Sequence, residues 1–367
     1  MEHDNKTLAE KYALPEQKKQ TSFFVKNWDD IVAAALVCFT FLFVFIFSGV
    51  FPTKWSETRL VNATQKMKLP VLASFFSGDL SQKSGGDVNV SPPAKIIAPS
   101  PQFIGDEMLD PEQFTAKSIF VRDIRSGSVL FQKNPFEQRP MASITKLMSS
   151  LVILERNPDW TATTTVVSDA LIDNHMYAGD TYTEEELWYA SLVGSSNKAI
   201  FSLAEAVGIS RESFADRMNQ KAMELGMSHT SFVEPTGLDE GNISTAADIE
   251  KLLSAALDKK EIQDAVLTQE FTLYSNEREK THHMWNTDWL LLGWIPHHFA
   301  HFLGGKTGYI DASLYNFTMR AGDENENYID VVVLGADTHE GRFTEARDVA
   351  EWVFQNYKWP VTSKKTE

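Results

Sequence analysis

Met141-Ala142-Ser143-Ile144-Thr145-Lys146 is the stretch on which the reading of this chain turns. It contains a Ser-x-x-Lys tetrad, and Leu147, Met148, Leu151 and Val152 continue the helical spacing begun by Ile144. Side chains three residues apart on a helix share a face, so the Lys146 amine can reach the Ser143 hydroxyl. A serine with a base beside it is a usable nucleophile, which a bare serine at neutral pH is not. Ile153 and Leu154 add further apolar faces, so the pattern predicts a buried helix that carries the serine at its exposed tip.

Two common residues at a fixed gap carry little weight alone. The tetrad gains weight from two later fragments, Ser195-Ser196-Asn197 and Lys306-Thr307-Gly308, which follow it in that order. Thr183-Glu184-Glu185-Glu186 is a capping box that predicts a helix running to about Val193. The turn Gly194-Ser195-Ser196-Asn197 breaks it, and a second helix continues to Gly208, a C-terminal cap. Ser195 and Asn197 thus fall in a loop between helices, where side chains can face a cleft.

Working outward, Ser118-Ile119-Phe120-Val121 and Ser128-Val129-Leu130-Phe131 flank a Ser-Gly turn, a hairpin signal. Further helices are predicted at about 211–225 and 245–257. Two strand-like runs follow Gly308, Leu314 to Arg320 and Tyr328 to Ala336. Phe343, Ala346, Val349, Ala350, Val353, Phe354 and Tyr357 then form one helical stripe. Strands at both sequence ends with helices between them predict an α+β domain, its antiparallel sheet completed from both termini beside a helical region.

Upstream, residues 1–30 are polar and of mixed charge. Residues 31–51 carry no charge and are long enough for the roughly 20-residue span of a hydrocarbon core. The run is too long for a signal-peptide core and is followed by Phe51-Pro52-Thr53-Lys54-Trp55, so an uncleaved transmembrane anchor is expected. Residues 52–113 lack a period and include Ser91-Pro92-Pro93 and Ala98-Pro99-Ser100-Pro101, which reads as a stalk. The expected order is a cytoplasmic tail (1–30), an anchor (31–51), a stalk (52–113), a catalytic domain (114–358) and a C-terminal tail (359–367).

The chain has 367 residues and a formal charge of −16, which opposes a nucleic-acid partner because phosphate binding needs a basic surface. Its only cysteine, Cys38, rules out an intrachain disulfide and a Cys-based zinc site. His282, His283, His297, His298 and His301 crowd one region without a His-Glu-x-x-His pattern, so surface or cleft-rim histidines are expected, with no metal and no cofactor. Trp285, Trp289 and Trp294 are expected in the core or the cleft wall.

The three fragments together are the active-site set of penicillin-binding proteins and serine β-lactamases. From about 114 to 358 the chain resembles the low-molecular-mass penicillin-binding proteins, the D-alanyl-D-alanine carboxypeptidase family. Further carrying residues are Glu224-Leu225-Gly226-Met227, Thr230, Phe232, Glu234-Pro235-Thr236-Gly237-Leu238 and Gly304-Gly305-Lys306-Thr307-Gly308-Tyr309. The resemblance implies that Ser143 attacks the carbonyl between two D-alanines and forms an acyl-enzyme. Lys146 takes the serine proton as a neutral amine, its pKa lowered by burial and by Lys306. Ser195 and Lys306 pass a proton to the leaving amine, and Asn197 holds the substrate amide. The backbone N–H groups of Ser143 and Tyr309 form the oxyanion hole. Thr307, with Lys306 and beside Gly308, receives the terminal carboxylate, with Arg342 as a further contact.

Implied partners are peptidoglycan stem peptides, β-lactam antibiotics as inhibitors, and the bacterial cytoplasmic membrane, with the catalytic domain outside the cytoplasm. The chain departs from the family in reading Ser-Ser-Asn for the usual Ser-Gly-Asn, and Asn286-Thr287-Asp288 for Asn-x-Asn. The Glu-Pro-Thr-Gly-Leu wording also resembles the D,D-endopeptidase branch, and the sequence leaves carboxypeptidase and endopeptidase open. A class A β-lactamase would need a water-positioning glutamate, for which Glu234 is the candidate. An inactive wall-binding scaffold is opposed by the intact serine and lysines.

Overall fold

The computed structural model describes residues 98–167, 171–173 and 175–360. The segments read as tail and anchor, and the stalk up to residue 97, lie outside the described residues. Among the described residues, no helix is long and apolar enough to cross a membrane.

The main sheet begins with strands β1 (Ser118–Asp123) and β2 (Val129–Lys133), the hairpin expected around the Ser-Gly turn. Helices α1 (Thr145–Leu154), α2 (Glu184–Leu192), α3 (Asn197–Ala206), α4 (Arg211–Glu224), α5 (Ala246–Leu257) and α6 (Lys260–Val266) follow. A hairpin of β3 (Glu270–Ser275) and β4 (Lys280–Trp285) leads to β5 (His301–Ile310), β6 (Leu314–Gly322), β7 (Tyr328–Ala336) and α7 (Gly341–Asn356). The main sheet has the order β5-β6-β7-β1-β2, antiparallel throughout. β1 from the start of the domain pairs with β7 from its end, Val121 opposite Val331, so both ends of the sequence complete one sheet.

β7 is covered on both faces, which explains its near-continuous apolar run. Val331 and Val333 pack with Phe343, Val349 and Val353 of α7 on one side. Val332 and Leu334 join Leu147, Leu252 and Leu253 in the larger core of the helical region on the other. Arg320 of β6 and Asp330 of β7 make a two-bonded ion pair, at 2.7 and 2.9 Å, inside this stack. Arg320 also donates to Ser254 of α5 at 3.1 Å, which ties helix to sheet.

Local chemistry sets the helix boundaries around the site. Thr183 and Glu186 exchange the reciprocal bonds of a capping box at the start of α2. Ser196 caps α3 by accepting from the Ala199 amide at 3.0 Å. α1 is buried from Thr145 to Ile153, as its all-round apolar pattern predicts.

The expected domain boundaries shift outward. Gln102–Phe103 pairs with Tyr357–Lys358, and the Trp359 indole donates to Asp123 at 2.7 Å. Residues assigned to the end of the stalk and the start of the C-terminal tail therefore belong to the folded unit.

Candidate active site

Ser143 lies in a single 3-10 turn, Ala142–Ile144, that runs directly into α1. The preceding residue, Ala142, has φ +49, a left-handed conformation uncommon without glycine. Two glycines close on this turn. A side chain at Gly237 (φ +88) would overlap the Ala142 carbonyl, and one at Gly308 would stand 2.7 Å from the Met141 carbonyl oxygen. Only residues without a Cβ let β5 and the 234–238 loop approach the Ser143 turn this closely.

The Lys146 amine sits 2.8 Å from Ser143 Oγ, 2.7 Å from Asn197 Oδ1 and 2.8 Å from the Thr236 carbonyl oxygen. It is fully buried, and burial pulls its pKa down to about 7. Glu234 and Asp173 oppose the shift. Lys306 is held well below the ordinary lysine value by burial and by the nearby cations Lys146 and Arg342.

Lys306 donates to Ser195 Oγ at 2.9 Å and to the Thr307 carbonyl oxygen at 3.2 Å. Ser195 has φ +58, a second left-handed residue without glycine at the site. Ser143, Ser195, Thr307, Gly308, Tyr309 and Arg342 all line one cavity of about 440 Å³, joined by Thr287, Trp289, Tyr315 and His339. Lys146 and Lys306 are buried, each within hydrogen-bond reach of one of the two serines.

Asn197 has a partner at each end of its side-chain amide. Its Oδ1 binds Lys146, and its Nδ2 donates to the Ile172 carbonyl at 2.8 Å, so both ends of the amide are engaged within the protein. Arg342 is buried and donates to the Gly308 carbonyl oxygen at 3.3 Å, with its guanidinium over the Phe343 ring. Its NH2 lies 2.8 Å from His339 Nε2. Thr287 and Thr307 share a 2.7 Å hydroxyl bond. Asp288 is buried, and burial pushes its carboxyl up to about 7 against the pull of the Leu291 and Leu290 amides and of Arg342 and Lys306.

The extra serine in Ser-Ser-Asn has work of its own. Ser196 donates to Asp173 at 2.5 Å while capping α3, which fastens the 171–173 segment beside Asn197. Glu234 accepts from the Thr236 amide (2.6 Å), the Gly237 amide (2.5 Å) and Asn242 Nδ2 (2.6 Å). That carboxylate is used to shape the loop carrying the Thr236 carbonyl, which leaves it unsuited to position a hydrolytic water.

Of the crowded histidines, His282 is buried against Tyr177 on the β3–β4 hairpin and His298 is exposed beside Glu351. None of the five lines the cavity. The tryptophans divide: Trp289 is in the cavity wall, but Trp285 and Trp294 are 51% and 54% exposed, contrary to a place in core or cleft. Sequence reading missed Tyr315, His339 and Asp173. His339 had a signal, since it stands one helical step before Arg342, whereas nothing in the wording around Asp173 marks it.

Comparison with known proteins agrees with this geometry. The family description "D-alanyl-D-alanine carboxypeptidase" matches residues 106–338. A D-alanyl-D-alanine endopeptidase of Pseudomonas aeruginosa is 29% identical over 294 residues, covering 77% of this chain and 88% of that protein. The D-alanyl-D-alanine carboxypeptidase DacF of Bacillus subtilis is 31% identical, covering 69% of this chain and 65% of that protein. Penicillin-binding protein D2 of Listeria monocytogenes, solved with ampicillin bound, superimposes with a TM-score of 0.58 at 26% identity, over 68% of this chain and 99% of that one. The match spans most of the chain and includes all three motif fragments around the cavity. The chain belongs to the D-alanyl-D-alanine carboxypeptidase family of serine peptidases.

Proposed function

We propose that this protein is a serine D-alanyl-D-alanine carboxypeptidase that trims peptidoglycan stem peptides through an acyl-enzyme on Ser143. One observation carries the reading: the arrangement of partners around the Lys146 amine. Two acceptors, Asn197 Oδ1 and the Thr236 carbonyl, hold the two hydrogens of a neutral amine. The remaining direction, 2.8 Å from Ser143 Oγ, presents the lone pair to the hydroxyl proton.

Ser143 Oγ attacks the carbonyl carbon of the scissile amide as its proton passes to Lys146. The backbone N–H groups of Ser143 and Tyr309 take the developing oxyanion. Collapse breaks the C–N bond, and the leaving amine takes a proton through Ser195, backed by Lys306 at 2.9 Å. Water then attacks the ester and frees Ser143. Thr307 and Arg342, at the same cavity, receive the terminal carboxylate of the departing D-alanine. Asn197 holds the substrate amide after its Nδ2 exchanges the Ile172 carbonyl for the substrate carbonyl. β-Lactams, which bind the Listeria relative, acylate the same serine.

D,D-endopeptidase activity is the second reading, favoured by the Pseudomonas relative, of which this chain covers 88%. The use of Glu234 within its own loop speaks against a β-lactamase. The uncharged run 31–51 supports a single-pass anchor with the catalytic domain outside the cytoplasm. Resistance of the protein to carbonate extraction, lost on deletion of 31–51, tests that placement.

The central test is labelling with fluorescent penicillin beside Ser143→Ala, followed by product analysis. Free D-alanine released from uncross-linked stem peptides supports the carboxypeptidase. Cleaved cross-links without free D-alanine transfer the assignment to the endopeptidase. Absence of a Ser143-dependent adduct defeats both.

A further inference from the structure

The β3–β4 hairpin has two unlike faces. Leu273 and Met284 point into the core, while Glu270 opposite Trp285, Thr272 opposite His283 and Tyr274 opposite Thr281 lie on the outer side. Tyr274 is 50% exposed, and Trp285 lies 6.2 Å, centroid to centroid, from the equally exposed Trp294. Trp294 in turn packs edge-on, at 5.6 Å, against Trp289, which lines the cavity of Ser143. A continuous aromatic track therefore runs from the catalytic cavity onto the outer face of the hairpin. Half-exposed neighbouring indoles are a feature that marks binding surfaces.

The track is not purely apolar. His283 lies 3.1 Å from Thr272 Oγ1 and 3.4 Å from Glu270, so hydrogen-bonding groups are interleaved with the rings. This mixture suits a pyranose, whose C–H face stacks on an indole while its hydroxyls project sideways to polar groups. We propose that the outer face of the hairpin, with Trp285 and Trp294, binds the uncharged polysaccharide strand from which the stem peptide hangs. The inference rests on the peptidoglycan reading above and extends it from the scissile peptide to the polymer. Continuity with the cavity supplies the register, because a peptide seated at Ser143 brings its own strand alongside. A lipid surface is the weaker occupant: anionic headgroups favour basic patches, and this chain carries a charge of −16.

The test compares the full chain with its Trp285→Ala/Trp294→Ala variant, leaving Trp289 intact. Probes are fluorescent penicillin, a short soluble peptide ending in D-Ala-D-Ala, intact peptidoglycan, and peptide-free glycan chains followed by tryptophan fluorescence. The variant is expected to match wild type on penicillin and the short peptide. On intact peptidoglycan its KM should rise roughly tenfold with kcat retained, the effect of two lost stacking contacts. Peptide-free glycan should perturb wild-type fluorescence and not the variant's.

Unchanged kinetics on intact peptidoglycan overturn the proposal, as does an equal loss on every probe, which marks a structural role. A response to vesicles of phosphatidylethanolamine and phosphatidylglycerol with none to glycan also overturns it, in favour of a membrane contact. Tyr274→Ala, on the same face, gives the same comparison if the double variant does not fold. Failure of wild type to take penicillin would instead strike the acyl-enzyme reading, while the glycan titration still decides this one.

Discussion

In the proposed mechanism Lys146 serves as the base, and burial is what favours loss of its proton. With the amine lowered from 10.5 to about 7, the neutral form is scarce at pH 5 and predominates above pH 8. Acylation by penicillin should therefore rise with pH through an apparent value near 7, which belongs to the coupled lysine pair. Stopped-flow or gel-based rates between pH 5 and 9 read this directly, and a profile flat through that window would refute the assignment. Lys146→Arg puts a cation that does not deprotonate in the same place, and should cost about 10²–10⁴-fold in acylation rate. Gly237 offers a different kind of prediction. Its φ of +88 and its approach to Ala142 leave no room for a methyl group. Gly237→Ala should lower stability by roughly 2–4 kcal/mol and slow acylation as well, since the displaced backbone carries Ser143. Thermal melts and penicillin labelling of one preparation measure both effects.

Elements were legible in the sequence wherever one period governed them. α1, α2 with its capping box, α7 with its apolar stripe, and the β1–β2 hairpin each form within two residues of the limits their patterns set. β5 escaped notice beyond its Lys-Thr-Gly because Gly304, Gly305 and Gly308 dilute the strand pattern. Those glycines answer to close packing against Val266, the β6 backbone and the Ser143 turn, which only tertiary structure reveals. The β3–β4 hairpin alternates buried and exposed residues, but its exposed aromatics disguise the polar face that normally betrays such a pair. Cavity residues fared likewise: the three motif fragments were readable as wording, while Tyr315 and His339 join the site only through the pairing of β5 with β6 and the start of α7. The Arg320–Asp330 pair shows an element-scale constraint absent from local patterns. Asp330→Ala would strand a guanidinium that is 8% exposed, and should cost roughly 3–5 kcal/mol. Denaturant unfolding should show a lower midpoint at unchanged slope, and a loss below 1 kcal/mol would mean that Asp258 and Ser254 suffice to hold Arg320.

At the scale of the molecule, the sheet is closed by its two ends, and the last contacts made are outside the catalytic motifs altogether. The Phe103 ring lies 5.9 Å from that of Trp352, tilted, and meets Tyr357 edge-on at 5.5 Å, while its strand pairs with Tyr357–Lys358 at the end of α7. Leu109 packs on the same core. None of these residues touches the cavity, yet α7 carries both His339's neighbour Arg342 and the apolar stripe under β7. A chain beginning at residue 114 would retain Ser143, both lysines and the five-stranded sheet, but lose the strand and the ring contacts that brace α7. Those contacts amount to a pair of aromatic interactions and a few backbone hydrogen bonds, about 2 kcal/mol in all. Set against a chain beginning at residue 98, the shorter one should melt roughly 5 °C lower. Its penicillin acylation at 20 °C should stay within twofold, because the lysine and serine geometry is fixed by α1, α3 and β5. Equal melting temperatures would show that the terminal strand is an ornament on the fold. Lost acylation at full folding would show instead that bracing of α7 reaches Arg342 and, through it, the cavity.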